Sequence, residues 1–121
     1  MNWTILLLFA VALLLVVVLR RAGLISARDA REHLRKGALV IDVRTPGEYA
    51  AGHLPKAIHL PLDQIETTLP KHVPDKNTVL LLHCQSGMRS GLAKRKLRAK
   101  GYTHAFNLGS LGRAGRIVGG K

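Results

Sequence analysis

The stretch TVLLLHCQSGMRS, residues 78–90, decides the fold predicted for this 121-residue chain. Its first half holds a continuous apolar run at residues 79–82, which is typical of a strand buried on both faces of a parallel sheet. Cys84 follows this strand directly, and Gly87 permits the backbone to turn tightly within the loop. The segment after the loop predicts a helix that reaches Lys100. A strand, a short loop and a helix are therefore expected to follow one another here.

Strands and helices alternate on both sides of this stretch. Apolar runs predict further strands at residues 38–43, 57–60 and 104–108. Helices are predicted from Ser26 to Gly37, around residues 48–51, from Asp63 to the residue before Pro70, and for one or two turns within the Gly-rich residues 109–121. This alternation indicates a small α/β domain with a largely parallel sheet.

Cys84 is the single cysteine of the chain, and its position favours a reactive thiol over a buried apolar side chain. It lies at the carboxyl end of a predicted parallel strand, where open α/β sheets place their sites. The N–H groups of the loop and the start of the next helix stabilise a thiolate there, and Arg89 adds a positive charge. The loop therefore predicts a cysteine nucleophile that attacks an anionic substrate.

The spacing between Cys84 and Arg89 separates two kinds of cysteine chemistry. Four residues lie between them, one fewer than in the loop of cysteine-dependent phosphatases, and Ser90 occupies the position of the phosphatase arginine. The smaller loop suits a single sulfur atom better than a phosphate group, so a phosphatase or arsenate reductase is the disfavoured alternative. His83 adjoins the cysteine, but strand alternation points its side chain to the opposite face, which favours packing over catalysis.

Over residues 23–120 the chain resembles the rhodanese family. The resemblance rests on several short motifs that occur in order along the chain. They are Asp42-Val43-Arg44, Glu48-Tyr49, Gly52-His53-Leu54, residues 57–61, the loop from Cys84 to Arg89 with Ser90, Gly101-Tyr102, and Asn107-Leu108-Gly109. The resemblance implies an α/β rhodanese-like fold with a five-stranded, largely parallel sheet flanked by helices.

The same resemblance implies a sulfurtransferase that needs no metal and no organic cofactor. Cys84 would be the catalytic residue, taking sulfane sulfur from a donor such as thiosulfate as a persulfide and passing it to a thiol or to cyanide. Asp42 and Arg44 would brace the loop. The residues implied to bind substrate are Gln85, Ser86, Gly87, Met88, Arg89 and Ser90. Many thiosulfate-using members carry a basic residue where this chain has Gln85. The alternative is a membrane-tethered sulfur carrier or partner-binding rhodanese module that does not turn over thiosulfate.

The N-terminal residues predict an uncleaved transmembrane anchor. Residues 3–19 are apolar except for Thr4, and as a helix they measure about 26 Å, close to the ~30 Å hydrocarbon layer. Arg20 and Arg21 end the run, so the positive-inside rule places the domain on the cytoplasmic face of the cell inner membrane. The prediction divides the chain into an anchor at residues 1–20, a linker at 21–25 and a rhodanese-like domain at 26–120. A cleavable signal peptide is disfavoured, because no basic residue precedes the apolar run.

The charge of the chain bears on its partners. Its 19 Lys and Arg residues outnumber seven Asp and Glu residues, which gives a formal net charge of +12. This excess favours a small anionic sulfur donor or acidic lipids as partners, together with the membrane contacted through residues 3–19. Nucleic acid is not expected, since aromatic residues make up only 4% of the chain. The six histidines lack the spacing of metal ligands, so no metal site is predicted.

Overall fold

The computed structural model describes residues 2–119, and for residues 20–22 it describes the backbone only. Helices and strands alternate along the chain, as the sequence predicts. Their order is α1 (Trp3–Ala22), α2 (Ala27–Arg35), β1 (Leu39–Asp42), α3 (Pro46–Ala50), β2 (Ile58–His59), a 3-10 turn (Leu62–Gln64), α4 (Ile65–His72), β3 (Leu80–His83), α5 (Met88–Ala99), β4 (Ala105–Gly109) and α6 (Leu111–Gly119).

The strands form a parallel sheet in the order β2-β1-β3-β4. The predicted sheet of five strands is wrong for the residues that the structure describes, because the sheet has four. Leu24 makes only an isolated parallel bridge to Asn107, beside a hydrogen bond of 3.0 Å from the Ile25 N–H to the Asn107 carbonyl. Between the end of α1 and Ser26, which caps α2, too few residues remain to extend this bridge into a strand along β4.

Both faces of the sheet are covered by helices, and β3 lies inside it. All four residues of β3 are buried. Leu80 and Leu82 belong to one apolar cluster, which contains Leu97 of α5, and Leu81 belongs to a second cluster on the opposite face, with Ile117 of α6. Burial on both faces explains the continuous apolar run and confirms its assignment to an inner strand.

Two helices differ from the sequence predictions. α4 continues through Pro70 to His72. The proline has no N–H, so the helix lacks one of its backbone hydrogen bonds there. The Gly-rich tail forms a full helix, α6, with Ala114 and Ile117 buried against the sheet. Tertiary packing of this apolar face outweighs the weak helix propensity of its glycines.

Helix α1 stands apart in its exposure. The large apolar side chains of residues 3–19 are exposed, from 40% at Val17 to 78% at Trp3. Among the helices that the structure describes, none combines the length and the apolar character needed to cross a membrane. The transmembrane helix predicted at residues 1–20 is therefore not supported by the structure.

Candidate active site

The Cys84 loop connects the carboxyl end of β3 to the first turn of α5. The Cys84 N–H donates to the Gly109 carbonyl at 3.2 Å, which ties the loop to the end of β4. Gly87 has a φ of +95°, and a Cβ atom there would lie 3.4 Å from backbone atoms of Gly109. The tight turn that brings the loop back over the sulfur therefore depends on glycine at this position.

The Cys84 sulfur is fully buried and lies among hydrogen-bond donors. The Gly87 N–H donates to Sγ at 2.9 Å, and the Ser90 hydroxyl lies 3.5 Å from it. Burial acts to raise the pKa of Cys84, but hydrogen bonds from the Ser90 hydroxyl and from the amides of Ser90, Gly87 and Ser86 outweigh it, and the pKa lies below its ordinary value. The loop is therefore built to hold a negative charge on sulfur.

The Ser90 hydroxyl also belongs to a network that fixes the loop to β4. It lies 2.7 Å from Asn107 Oδ1 and 3.2 Å from the Gly87 carbonyl, besides its contact with Sγ. A hydroxyl has one proton, so Sγ, Asn107 and Gly87 compete for it. Asn107 Nδ2 donates to the Gly87 carbonyl at 3.0 Å, and its Oδ1 accepts from the Gly109 N–H at 2.9 Å. Sequence reasoning gave Asn107 no role, although a polar residue within an apolar strand is a usable signal.

Arg89 is held by a carboxylate of α3. Its two terminal nitrogens donate to the two oxygens of Glu48 at 2.7 and 2.8 Å. The hydrogen bond from Arg89, followed by that from the Thr45 amide, lowers the pKa of Glu48 to about 2. The same pairing with Glu48 raises the pKa of Arg89, so both side chains stay charged. The anion-binding role predicted for Arg89 remains a prediction, and its partner Glu48 was missed.

Arg44 and Asp42 form a second, buried ion pair. The Arg44 guanidinium donates to Asp42 Oδ1 at 3.0 Å and to Oδ2 at 2.8 Å, and also to the Gly52 carbonyl at 2.7 Å. Its remaining terminal nitrogen donates to Gln85 Oε1 at 3.2 Å, so the pair reaches the Cys84 loop directly. Burial acts to raise the pKa of Asp42, but the hydrogen bonds from Arg44 prevail and lower it.

The six residues predicted to bind substrate separate into three groups. Ser86, Gly87 and Ser90 donate hydrogen bonds toward Sγ. The side chains of Gln85 and Arg89 instead bind Arg44 and Glu48. The Met88 side chain, at the start of α5, is 70% exposed.

His83 is fully buried directly before the nucleophile. Because side chains alternate along β3, it faces the same side of the sheet as Leu81 and not the side of Cys84. Neither ring nitrogen has a hydrogen-bond partner, and Nε2 lies 3.9 Å from Asp42 Oδ2. Burial lowers the pKa of His83, so the ring packs in its neutral form. Within residues 2–119, no group of three or more His, Cys, Asp or Glu side chains is placed to hold a metal ion.

Comparison with known proteins agrees with this geometry. The sequence profile of the rhodanese-like domain matches residues 26–110. The chain belongs to the rhodanese-like family. Thiosulfate sulfurtransferase PspE of Escherichia coli is 42% identical to this rhodanese-like chain over 71 residues, which are 59% of this chain and 68% of that protein. A sulfurtransferase of Allochromatium vinosum is 37% identical over 70 residues, 58% of this chain and 64% of the relative.

Solved structures extend the comparison to three dimensions. A rhodanese from E. coli solved with anions superposes on this rhodanese-like chain with a TM-score of 0.62 at 39% identity, over 64% of this chain and 91% of that structure. The human single-domain sulfurtransferase TSTD1 superposes with a TM-score of 0.65 at 28% identity, over 82% and 97% of the two chains. The enzyme is a rhodanese-type sulfurtransferase.

Proposed function

We propose that the enzyme moves sulfane sulfur from a small anionic donor, such as thiosulfate, to a thiol or cyanide acceptor through a persulfide on Cys84. The observation that carries this proposal is the environment of the Cys84 sulfur. It is buried at the end of β3, accepts the Gly87 N–H at 2.9 Å, and has a pKa below the ordinary value of a thiol. A thiolate held by fixed N–H donors is both nucleophilic and a good leaving group.

In the first step, the Cys84 thiolate attacks the outer sulfur of the donor. A bond forms between Sγ and this sulfur, and the bond between the two donor sulfurs breaks. When the donor is thiosulfate, sulfite leaves with the electron pair. The thiolate and thiosulfate together carry three negative charges, and so do the persulfide and sulfite. In the second step an acceptor thiolate attacks the outer sulfur of the persulfide, and Cys84 leaves again as a thiolate.

The proposed roles of the surrounding residues follow their contacts. The amides of Ser86 and Gly87 and the hydroxyl of Ser90 would stabilise the charge on Sγ, because they donate to it in the resting site. Arg44, with Asp42 behind it, would brace the loop through Gln85. Such fixed donors need no reorganisation when charge moves onto sulfur, which is why they lower the barrier.

Intact mass after incubation with thiosulfate tests the proposal. We expect the full chain to gain the mass of one sulfur atom, about 32 Da, and to lose it on addition of a thiol. Cys84→Ser, which keeps the size of the side chain, should gain nothing. If wild-type Cys84 stays free with thiosulfate, thiosulfonate and persulfide donors, transfer through a Cys84 persulfide is wrong, and a partner-binding module becomes the leading function.

We propose separately that residues 3–19 associate with a membrane and hold the domain at the cytoplasmic face of the inner membrane. The support is the exposure of the large apolar side chains along this part of α1. Exposed apolar surface of this extent is typical of segments that contact lipid or another protein. Arg20 and Arg21 follow the apolar run, and basic flanks favour the cytoplasmic side.

A further inference from the structure

The four charged side chains that contact one another around the Cys84 loop form two neutral pairs. Arg44 binds Asp42 at 2.8 Å, and Arg89 binds Glu48 at 2.7 Å. The loop side chain that Arg44 also reaches is the neutral Gln85. The charges of these two pairs therefore sum to zero, and the donors that reach Sγ are loop amides and the Ser90 hydroxyl.

This balance matters because the nucleophile is itself an anion. A thiolate on Cys84 gives the site a net negative charge when the two ion pairs cancel. Neither pair offers a dianionic donor an uncompensated cation, although Arg113 lines a cavity beside Ser86 and Gly87. Repulsion by the thiolate grows with each negative charge that the donor carries. A donor with one negative charge meets about half of this repulsion at the same distance.

We infer that Glu48 is a specificity-determining residue, which neutralises Arg89 and thereby makes the site favour sulfane sulfur donors that carry at most one negative charge. The inference rests on the proposed function and names the donor class for the same site. Thiosulfonates and persulfides belong to this class, and thiosulfate, a dianion, does not. Glu48 acts through Arg89 and is a positioning residue, because its two oxygens bind the two terminal nitrogens of that guanidinium.

The chemistry is balanced for either donor. The Cys84 thiolate attacks the outer sulfur of a thiosulfonate, the sulfur–sulfur bond of the donor breaks, and a sulfinate leaves with the electron pair. Two negative charges stand on each side of this equation, against three for thiosulfate. The attacked atom and the type of bond that breaks are the same in the two reactions, which differ in the charge of the donor and in the leaving group.

Long-range attraction by the basic surface is a separate effect. Exposed cations of α5, among them Arg95 and Arg98, raise the concentration of every anion near the protein. At 0.1 M ionic strength, salt largely screens the attraction between exposed charges that lie more than about 10 Å apart. The preference caused by Glu48 acts within the ion pair beside the loop, and it should persist at high ionic strength.

Glu48→Gln in the full chain tests the inference, because it removes the charge and keeps the helix cap. Glu48 Oε1 accepts from the Thr45 N–H at 3.0 Å in a capping box, and glutamine also serves at this position. The measurement is the second-order rate of Cys84 persulfide formation, followed by intact mass, with thiosulfate and with methanethiosulfonate. We expect the ratio of the thiosulfate rate to the thiosulfonate rate to rise about tenfold.

Two variants control for other causes, and a third tests the inference by another route. Glu66→Gln removes the same charge from a carboxylate that lies 3.6 Å from Lys96, and it should leave the ratio unchanged. Arg89→Met, added to Glu48→Gln, should return the ratio to its wild-type value if the gain acts through Arg89. Gln85→Lys adds a cation to the loop by another route, and it should raise the ratio even if Glu48→Gln folds poorly.

The outcomes separate the inference from the proposed function. An unchanged ratio in both Glu48→Gln and Gln85→Lys would overturn the inference, and so would an equal rise in Glu66→Gln. A wild-type preference for thiosulfate at high ionic strength would also overturn it. In each of these cases the persulfide still forms, and the proposed function stands. If neither of these two donors nor a persulfide donor loads wild-type Cys84, the proposed function fails, and the inference fails with it.

Discussion

Around Cys84, the hydrogen bonds of single residues decide whether the sulfur exists as a thiolate. Burial alone would favour the neutral thiol, since a charge in an apolar core is costly. The Gly87 N–H at 2.9 Å and the Ser90 hydroxyl at 3.5 Å reverse this preference. Because a lowered pKa extends the thiolate to lower pH, reactivity of Cys84 should begin below the pH at which an ordinary cysteine reacts.

Ser90→Ala should raise the pH midpoint at which Cys84 reacts with iodoacetamide. The substitution removes the Ser90 hydroxyl donor, so the thiolate loses stabilisation while its burial is unchanged. Cys84 is the single cysteine, so the alkylation signal has one source. Ser26→Ala removes a hydroxyl that caps α2, and it should leave the midpoint unchanged. Equal midpoints for the wild type and Ser90→Ala would show that the amides alone stabilise the thiolate.

Sequence reasoning identified residues of the loop better than their partners. Cys84 and Gly87 can be identified from the local sequence, because they lie between a predicted apolar strand and a predicted helix. Glu48 lies 41 residues from Arg89 and Asn107 lies 17 from Ser90, so neither partnership leaves a local signal. The charge of Arg89 was readable from the sequence, but its neutralisation by α3 depends on the fold.

At the scale of elements, the join between β3 and α5 fixes the shape of the site. The φ of +95° at Gly87 lies in the left-handed region, whereas Gly47 in α3 does not have a positive φ. The added Cβ at Gly87 would meet Gly109 at 3.4 Å, an ordinary contact distance, so the cost is conformational strain and not a collision.

Gly87→Ala should destabilise the fold by about 1–2 kcal/mol, the usual cost of a left-handed alanine. Gly47→Ala is the matched control, because no atom lies within 4 Å of its added Cβ and the residue is helical. It should be neutral or stabilise by up to about 1 kcal/mol. Urea unfolding of the three proteins measures the difference, and similar midpoints for the two variants would contradict the strain argument.

Helices and strands were predictable where burial left a clear pattern of apolar residues in the sequence. β3 was predicted correctly because burial of both faces leaves a continuous apolar run in the sequence. The helix predicted to begin at Ser26 is confirmed, and the Ser26 side chain caps it by accepting from the Asp29 N–H at 3.1 Å. The prediction of a fifth strand was wrong. The motifs of the family do not specify how many residues near Leu24 are available to pair with β4. The length of α6 was underestimated because its glycines have weak helix propensity. The helix is stabilised by packing of its apolar face on the sheet, which the sequence does not show.

At the scale of the whole molecule, charge and apolar surface occupy different parts of the chain. All 19 basic residues lie from Arg20 onward, whereas residues 3–19 carry no charge. Basic residues near a membrane surface each contribute about 1 kcal/mol when the lipids are acidic. Such a domain can adsorb to a membrane by charge alone, so a test of residues 3–19 must separate apolar contact from adsorption.

Cell fractionation after a high-salt wash makes that separation, because salt screens adsorption and leaves apolar contact intact. We expect the full chain to stay with the membranes and a variant carrying Leu13→Asp and Val16→Asp to leave them, since each aspartate within lipid costs about 2.5–3.5 kcal/mol. Leu92→Asp changes an exposed leucine of α5 and should have no such effect. Release of the wild-type chain by salt alone would mean that basic residues hold it, and residues 3–19 would need another partner.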